Sequence, residues 1–445
     1  MMSSETPDEP PFEPPFEPPF EPPFEPPFEP PFEPPAGLSD ERIGDRDGSD
    51  EMAREEESLW MEDGEVEEPG AETTVPVPVK IPGPGVFEAF GWLVGVIGVH
   101  VIASVMVVVV VALMVVVQSG DQQMLNSPER LQLAVKEHIG FVLGGDQFLF
   151  VIAALVAVGL RLAIPSDPFA KPWPRLVNRL GRQRIRWPHL LAIVFVVIPV
   201  SMACGQLFVV ANRVWHGMLE SMPGLPNVPT IQEVNILSDL AASMPLPVLV
   251  FVLAVLPAIG EELVFRGVIG RGLVARCGVV QGIFVTSLLF AVAHLHPAHQ
   301  LSVFPLGVLL HVVYLATRSI LAPILLHFLV NGWAAVLAKV SVGMSERDDG
   351  AELLAGDELI AWYVLIPAAV ASLCAVAYFW RSRVEFREES GNWWWPVYRS
   401  VESPAVPAES TRLKPPGVLL AAFCAALVCF YVAAGWEVSQ LAQGG

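Results

Sequence analysis

Nine apolar stretches, separated by shorter polar segments, constrain the fold of this chain more than any other feature. A helix needs about 20 apolar residues to cross the hydrocarbon core of a bilayer, and most of the stretches reach or approach that length. They run over residues 90–117, 141–164, 190–211, 246–268, 279–295, 301–317, 320–340, 359–380 and 418–438. The fifth and sixth are short, which indicates helices that tilt, re-enter or are sheltered by neighbours. The sequence therefore predicts an all-α, polytopic transmembrane helix bundle of about nine spans in a lipid bilayer.

The acidic charge of the chain is concentrated in its first 85 residues. These residues hold 24 Asp and Glu against four Lys and Arg, whereas the remaining 360 hold 23 against 22. Within them, residues 9–35 read as six copies of Glu-Pro-Pro-Phe followed by Glu-Pro-Pro. Half of these repeat residues lack an N–H, which favours an extended, polyproline-like chain over helix or sheet. We therefore predict a disordered, acidic, Pro/Glu/Phe-rich cytoplasmic tail over residues 1–85.

Three interpretations of the tail repeat stay open. It is a ligand for proline-recognising partners, a spacer that holds the membrane body away from other surfaces, or low-complexity sequence with no dedicated partner. The last is favoured because composition alone accounts for the repeat. No nucleic-acid partner is predicted, since the body of the chain is nearly neutral and the tail is acidic.

Basic residues between the spans predict the orientation of the bundle. The loop 166–187 holds six of them, which places that loop in the cytoplasm. They are Lys171, Arg175, Arg179, Arg182, Arg184 and Arg186. Alternation then puts Arg271, Arg276, Arg318 and the segment 381–414 on the same side. The N-terminus is expected in the cytoplasm and the C-terminus outside, in a cell (plasma) membrane of bacterial type.

Few ionisable side chains lie inside the apolar stretches, and most of them cluster in three helices. Such groups are costly in a bilayer, so they mark pairing or function. The cluster consists of Glu261, Glu262, Arg266, His294, His327 and Asn331. Arg266 stands four residues after Glu262 on the same helical face, where it can neutralise one carboxylate and leave the other to react. We interpret the remaining candidates, His100, Asp146, Arg161 and His311, as helix-packing or rim groups, and His296 and His299 as surface-exposed loop histidines.

The cluster has the parts for water-driven attack on a carbonyl group. A glutamate can take a proton from water, a histidine can orient that water or protonate the leaving amine, and an asparagine can donate to the oxyanion. Each pair also has a structural interpretation. Glu262 with Arg266 can be an ion pair that pins one span to its neighbours, and His327 with Asn331 can be a hydrogen-bond clamp between helices.

Three motifs in this order resemble a known family. Glu261-Glu262-Leu-Val-Phe-Arg266, Phe290-Ala-Val-Ala-His294 and His327-Phe-Leu-Val-Asn331 are similar to the signatures of the CAAX-protease and bacteriocin-processing (CPBP/Abi) family of intramembrane proteases. That family includes the type II CAAX prenyl endopeptidases. The resemblance covers about residues 245–340 and implies an intramembrane endopeptidase that acts on a membrane-associated or prenylated-type protein or peptide substrate.

The resemblance also implies a role for each matched residue. Glu261 would be the general base, with Glu262 and Arg266 as its supporting pair, and His294 would help to hold the water. His327 and Asn331 would bind and polarise the scissile carbonyl. No cofactor is required by this interpretation. A glutamate with two histidines can nevertheless bind zinc, and Glu261, His294 and His327 would then be the ligands.

The chain divides into four segments. They are the tail 1–85, the N-terminal transmembrane helices 86–245, the CAAX-protease-like core helices 246–340, and the C-terminal transmembrane helices with an inner loop 341–445. The span limits place His294 and His327 at different depths, so a shared site requires a fifth helix that starts later or tilts strongly, or shifted limits. A catalytically inactive membrane scaffold or regulator, with an immunity or sorting role, is the alternative function. A transporter is a third, disfavoured because no inverted repeat of broken helices is evident.

Overall fold

The computed structural model describes residues 84–120, 127–163, 180–181, 184–222, 233–345, 359–387, 409–412 and 414–444. Within these ranges, eight helices are long and apolar enough to cross a membrane, and the chain is a multi-pass membrane protein. The predicted helical bundle is thereby confirmed. The predicted tail lies outside the described residues up to position 83.

The described part of the chain forms eleven helices and two short strands, labelled here in chain order. The helices are α1 (Val86–Ser119), α2 (Pro128–Glu137), α3 (Ile139–Ala163), α4 (Trp187–Glu220), α5 (Glu233–Ser243), the composite helix α6 (246–277), α7 (Val279–Val292), α8 (Pro297–Thr317), α9 (Leu321–Ser345), α10 (Trp362–Arg381) and α11 (Gly417–Gly444). The strands are β1 (Val384–Arg387) and β2 (Glu409–Arg412), which pair antiparallel between α10 and α11. Neither strand was expected from the sequence, but they leave the helical class unchanged.

Each of the nine predicted apolar stretches corresponds to one observed helix, but one of these helices is too short for a full crossing. Helix α7 corresponds to the fifth stretch but has only 14 residues. At a rise of 1.5 Å per residue it is about 21 Å long, shorter than the roughly 30 Å hydrocarbon core. The eight long helices therefore account for the full-length crossings among the described residues, and α7 is a shorter apolar helix beside them.

Helices α2 and α5 lie between spans and were not predicted. The C-terminal end of α5 is held by a lysine from α9, because Lys339 Nζ donates to the carbonyl oxygens of Ala241 and Met244 at 2.5 and 2.9 Å. Carbonyls at a helix end have no partner within the helix, so a lysine is a suitable donor for them. This contact connects α5 to the bundle.

Helices α6 and α7 cross at a glycine. A Cβ atom at Gly282 would lie 2.6 Å from the Cα of Val274, which is backbone and cannot move aside as a side chain could. The absence of a side chain at Gly282 therefore sets the distance between these two helices, and with it the position of the residues that α7 presents to α6.

We expect Gly282→Ala to destabilise the fold by about 1–3 kcal/mol, because the added methyl group overpacks this crossing. Gly98→Ala in α1 is the matched control, since nothing lies within 4 Å of the Cβ position there and alanine favours helix. Thermal unfolding of both variants in the same detergent measures the difference. Equal midpoints for the two variants would contradict the close crossing at Gly282.

Candidate active site

Helix α6 carries three of the predicted site residues and departs twice from α-helical geometry. Its α-helical segments, Leu246–Val250, Leu256–Val264 and Arg271–Cys277, are joined by the π-helical segments Phe251–Val255 and Phe265–Gly270. The pair Glu261–Glu262 lies between the two π-helical segments. Such segments are rare and occur frequently at functional sites.

A proline and an asparagine explain the first departure. In a regular α-helix the carbonyl of Leu253 would accept from the N–H of residue 257, but that residue is proline and has no N–H. Asn331 of α9 donates its Nδ2–H to this carbonyl at 3.1 Å. Because an unpaired carbonyl is costly in a membrane interior, this contact fixes α9 against α6 at the level of the site.

Glu262 is the centre of a buried network. Its Oε1 accepts from Arg266 Nη1 at 2.7 Å and is 2.9 Å from His327 Nδ1. The side chains of Glu262 and Arg266 are 0% exposed. Arg266 also donates from Nη2 to the carbonyl of Gly307 at 2.9 Å, and its Cζ lies 4.5 Å from the centroid of the Phe290 ring. The guanidinium therefore offsets the charge of Glu262 in a dry environment and links α6, α7 and α8.

Glu261 differs from its neighbour in both exposure and bonding. Its side chain is 16% exposed, and its Oε2 lies 3.9 Å from His327 Nε2, too far for a direct hydrogen bond. Among the described residues, Oε2 has no hydrogen-bond partner. Since His327 Nδ1 is held by Glu262, the ring of His327 lies between the two carboxylates. The arrangement leaves Glu261 as the carboxylate that water can approach.

His294 joins the cluster through Phe290. Its Nδ1 is 3.0 Å from the carbonyl oxygen of Phe290, and the Phe290 ring centroid is 5.1 Å from that of His294 and 5.9 Å from that of His327. His294 also interacts electrostatically with His327. The depth difference expected from the span limits is thus removed, because α7 is short and ends at the level of His327.

The interpretation of His296 and His299 as surface-exposed loop histidines is wrong in part, because His296 lies in the loop between α7 and α8 but neither side chain is fully exposed. Both are half-buried, and His299 lies inside α8, which begins at Pro297. The rings of His294 and His299 are 4.6 Å apart, and Phe208 of α4 lies about 6 Å from both His296 and His299. Proline at the first helical position was the signal that could have placed the start of α8 earlier.

The other ionisable residues fall into two groups. Arg161 forms a partly exposed ion pair with Glu88 at 2.8 Å, and His311 is buried where a Cβ at Gly270 would touch it, which agrees with packing or rim roles. His100 and Asp146, in contrast, lie beside the site, because the Phe150 ring on which His100 stacks also lies against Gly260, the residue before Glu261. Their positions in α1 and α3 are far from the three motifs in sequence.

The ligand set considered for zinc does not assemble. Across the described ranges, no three His, Cys, Asp or Glu side chains are grouped closely enough to hold a metal ion. His294 Nδ1 is held by the carbonyl of Phe290, and the Phe290 ring contacts both His294 and His327. Glu261, His294 and His327 are therefore not arranged as a common set of ligands.

Comparison with known proteins gives one finding. Residues 243–333 match the family model described as Type II CAAX prenyl endopeptidase Rce1-like. The predicted resemblance is confirmed for this part of the chain, which includes α6 to α8 and the site residues of α9. Neither the curated proteins nor the solved structures gave a match.

Proposed function

We propose that this membrane protein, whose residues 243–333 form an Rce1-like domain of the type II CAAX prenyl endopeptidase family, hydrolyses peptide bonds within the bilayer with Glu261 as its base. The matched family is one of endopeptidases, and the substrate is a membrane-associated or prenylated-type protein or peptide.

One observation carries the proposal. Of two adjacent glutamates, Glu262 is 0% exposed and its Oε1 is paired with Arg266, whereas Glu261 is 16% exposed and pairs with no arginine among the described residues; one oxygen of each, Oε2, has no hydrogen-bond partner there. A carboxylate that only stabilised the fold would be expected to have its charge offset as that of Glu262 is. The different environments of the two carboxylates therefore support Glu261 as the reactive one.

The first step is proton removal from water. Glu261 takes a proton from a water molecule that the imidazole of His294 helps to hold, and the resulting hydroxide attacks the carbonyl carbon of the scissile bond. The same carboxyl group then returns the proton to the nitrogen of the leaving amine as the C–N bond breaks. Water is thereby divided between the two products, and the enzyme ends in its starting state.

The negative charge that forms on the carbonyl oxygen is stabilised from α9. His327 Nδ1 lies 2.9 Å from Glu262 Oε1, which fixes the ring so that Nε2 can approach the scissile carbonyl. Asn331 uses one N–H on the Leu253 carbonyl and retains a second for the substrate. The structural and chemical interpretations of Asn331 are thus compatible.

We also propose the predicted orientation and location. The described basic residues that support a cytoplasmic side include Arg184 and Arg186 before α4, Arg271 and Arg276 at the end of α6, Arg318 after α8 and Arg381 at the end of α10. With the short α7 crossing as a ninth span beside the eight long helices, the N-terminus would be cytoplasmic and the C-terminus external, in a cell membrane of bacterial type. No metal or organic cofactor is needed for the steps given.

The full chain, purified in detergent, should cleave a prenylated peptide faster than the same peptide without its lipid, because the site is surrounded by apolar helices. His327→Ala should lower kcat/KM by about 10²-fold, as loss of an oxyanion donor does. His138→Ala, between α2 and α3, is the control histidine. Mass spectrometry of the products gives both the rate and the cleaved bond. Identical peptide profiles with and without His327 would point instead to a scaffold or regulator.

A further inference from the structure

Two polar residues outside the Rce1-like domain form a pair between α1 and α3. His100 Nδ1 is 2.9 Å from Asp146 Oδ2, and the two side chains are 29% and 6% exposed. The other carboxylate oxygen of Asp146 accepts from Ser104 Oγ at 3.1 Å. Asp146 Oδ2 also accepts from Gln147 Nε2 at 3.4 Å. A buried carboxylate in a membrane span is thus held in place by several donors.

An aromatic ring connects this pair to the site. The imidazole of His100 stacks on Phe150, with centroids 4.3 Å apart and planes inclined by 29°. Phe150 in turn lies against Gly260, where a Cβ would be 2.6 Å from its Cε1. Gly260 directly precedes Glu261, and His100 interacts electrostatically with the Glu261 carboxyl. The Phe150 ring therefore connects the His100–Asp146 pair to the residue before the proposed base.

Helix packing does not require a polar pair at this position. Helices α1 and α3 are already joined by Glu88 and Arg161, where two guanidinium nitrogens donate to the two carboxylate oxygens at 2.8 and 3.3 Å. That pair is partly exposed, as expected of a rim contact. A buried carboxylate in a span is costly, so a second, more buried pair between the same helices indicates a task other than attachment.

We propose that His100, held by Asp146, is a further positioning residue of the site and acts through Glu261. This inference rests on the proposed function and deepens it. Because Nδ1 faces Asp146, the free nitrogen of His100 is Nε2, which can bond to water bound at Glu261. A carboxylate that orients an imidazole in this way sets both its tautomer and its direction. Asp146 on α3 contacts His100, and His327 on α9 lies beside Glu261 on α6.

Two substitutions at one position separate positioning from attachment. His100→Gln keeps a side chain that can donate to Asp146 but removes the imidazole, and His100→Phe keeps only the stacking on Phe150. We expect both to lower kcat by about tenfold or more, the size of effect seen when an orienting residue is lost, with KM within about twofold. We expect His100→Gln to unfold at the same temperature as the unaltered protein.

The second ion pair provides the matched control. Glu88→Gln and Arg161→Gln break the other link between α1 and α3, and kcat and KM should both stay within about twofold. All four variants are assayed on the same prenylated peptide as full-length protein, next to Glu261→Ala.

Each remaining outcome counts against the inference. Full kcat in His100→Gln would show that the pair only attaches helices, and an equal loss of kcat in Arg161→Gln would show general sensitivity to α1–α3 packing. A loss of kcat in proportion to the loss of folded protein in every variant would show that the His100–Asp146 pair only stabilises the fold. If the unaltered protein cleaves no peptide, the proposed function fails and this inference with it, whereas cleavage that depends on Glu261 but not on His100 overturns this inference alone.

Discussion

Replacing Glu261 with glutamine is expected to remove peptide cleavage while the bundle stays folded. Glutamine has the same shape but cannot take a proton from water, and a general base contributes about 10²–10⁴-fold to a rate. The side chain is 16% exposed and Oε2 has no hydrogen-bond partner among the described residues, so no network is broken by the change. The rate of cleavage at saturating peptide measures the loss, and the unfolding temperature in detergent measures the integrity of the fold.

Asp239→Asn is the control for this experiment. Asp239 is an exposed carboxylate of α5 that pairs with Lys136 at 3.5 Å, away from the site. Its replacement should leave the rate of cleavage within about twofold, since exposed ion pairs contribute little. A Glu261→Gln protein that retains more than a tenth of the original rate would contradict the role of Glu261 as base and would shift attention to Glu262.

The membrane helices could be predicted from sequence because lipid leaves the chain few choices. A backbone in the hydrocarbon core must satisfy its own hydrogen bonds, so an apolar stretch of sufficient length becomes a helix. The limits of α4 were less predictable. It continues from the predicted end at residue 211 to Glu220, through polar residues such as Asn212 and Arg213 that hydropathy takes for a loop. Helices α2 and α5, with too few apolar residues for a span, carry no such signal.

The candidate site was predictable where the residue type itself carries the chemistry. The four-residue spacing of Glu262 and Arg266 predicted their contact, and the motifs placed His327 and Asn331 on one face of α9. The sequence could not indicate that Glu262 Oε1 is shared by Arg266 and His327, since that depends on how α9 packs on α6.

The motifs could not predict contacts of main-chain groups or of residues that are far apart in sequence. The carbonyl of Gly307 accepts from Arg266, and the carbonyl of Leu253 accepts from Asn331. Every residue has a main-chain carbonyl, so residue type does not indicate which one accepts. His100 and Asp146 are 46 residues apart, and the sequence predicts them only as helix-packing or rim groups. Their meeting depends on the packing of α1 on α3, which periodicity does not determine.

Replacing Arg266 with methionine is expected to destabilise the fold by about 3–5 kcal/mol, because it leaves the Glu262 carboxylate buried without its counter-charge. The methionine nearly fills the volume, but the hydrogen bonds to Glu262 and to the Gly307 carbonyl are lost. Cleavage should fall as well, because a Glu262 carboxylate without its Arg266 counter-charge no longer fixes the position of the His327 ring. Chemical or thermal unfolding in a fixed detergent measures the loss of stability.

Two further proteins separate charge from packing in this result. Adding Glu262→Gln to Arg266→Met removes the uncompensated charge, so part of the stability should return although one more native group has been changed. Arg161→Met breaks the exposed pair with Glu88, whose side chains are 36% and 40% exposed, and should cost about 0–1 kcal/mol. Two outcomes would contradict a buried ion pair at the centre of the site: equal losses of stability for Arg161→Met and Arg266→Met, or a double variant less stable than Arg266→Met alone. The second outcome is decisive because a desolvated carboxylate without its partner should become more stable when its own charge is removed.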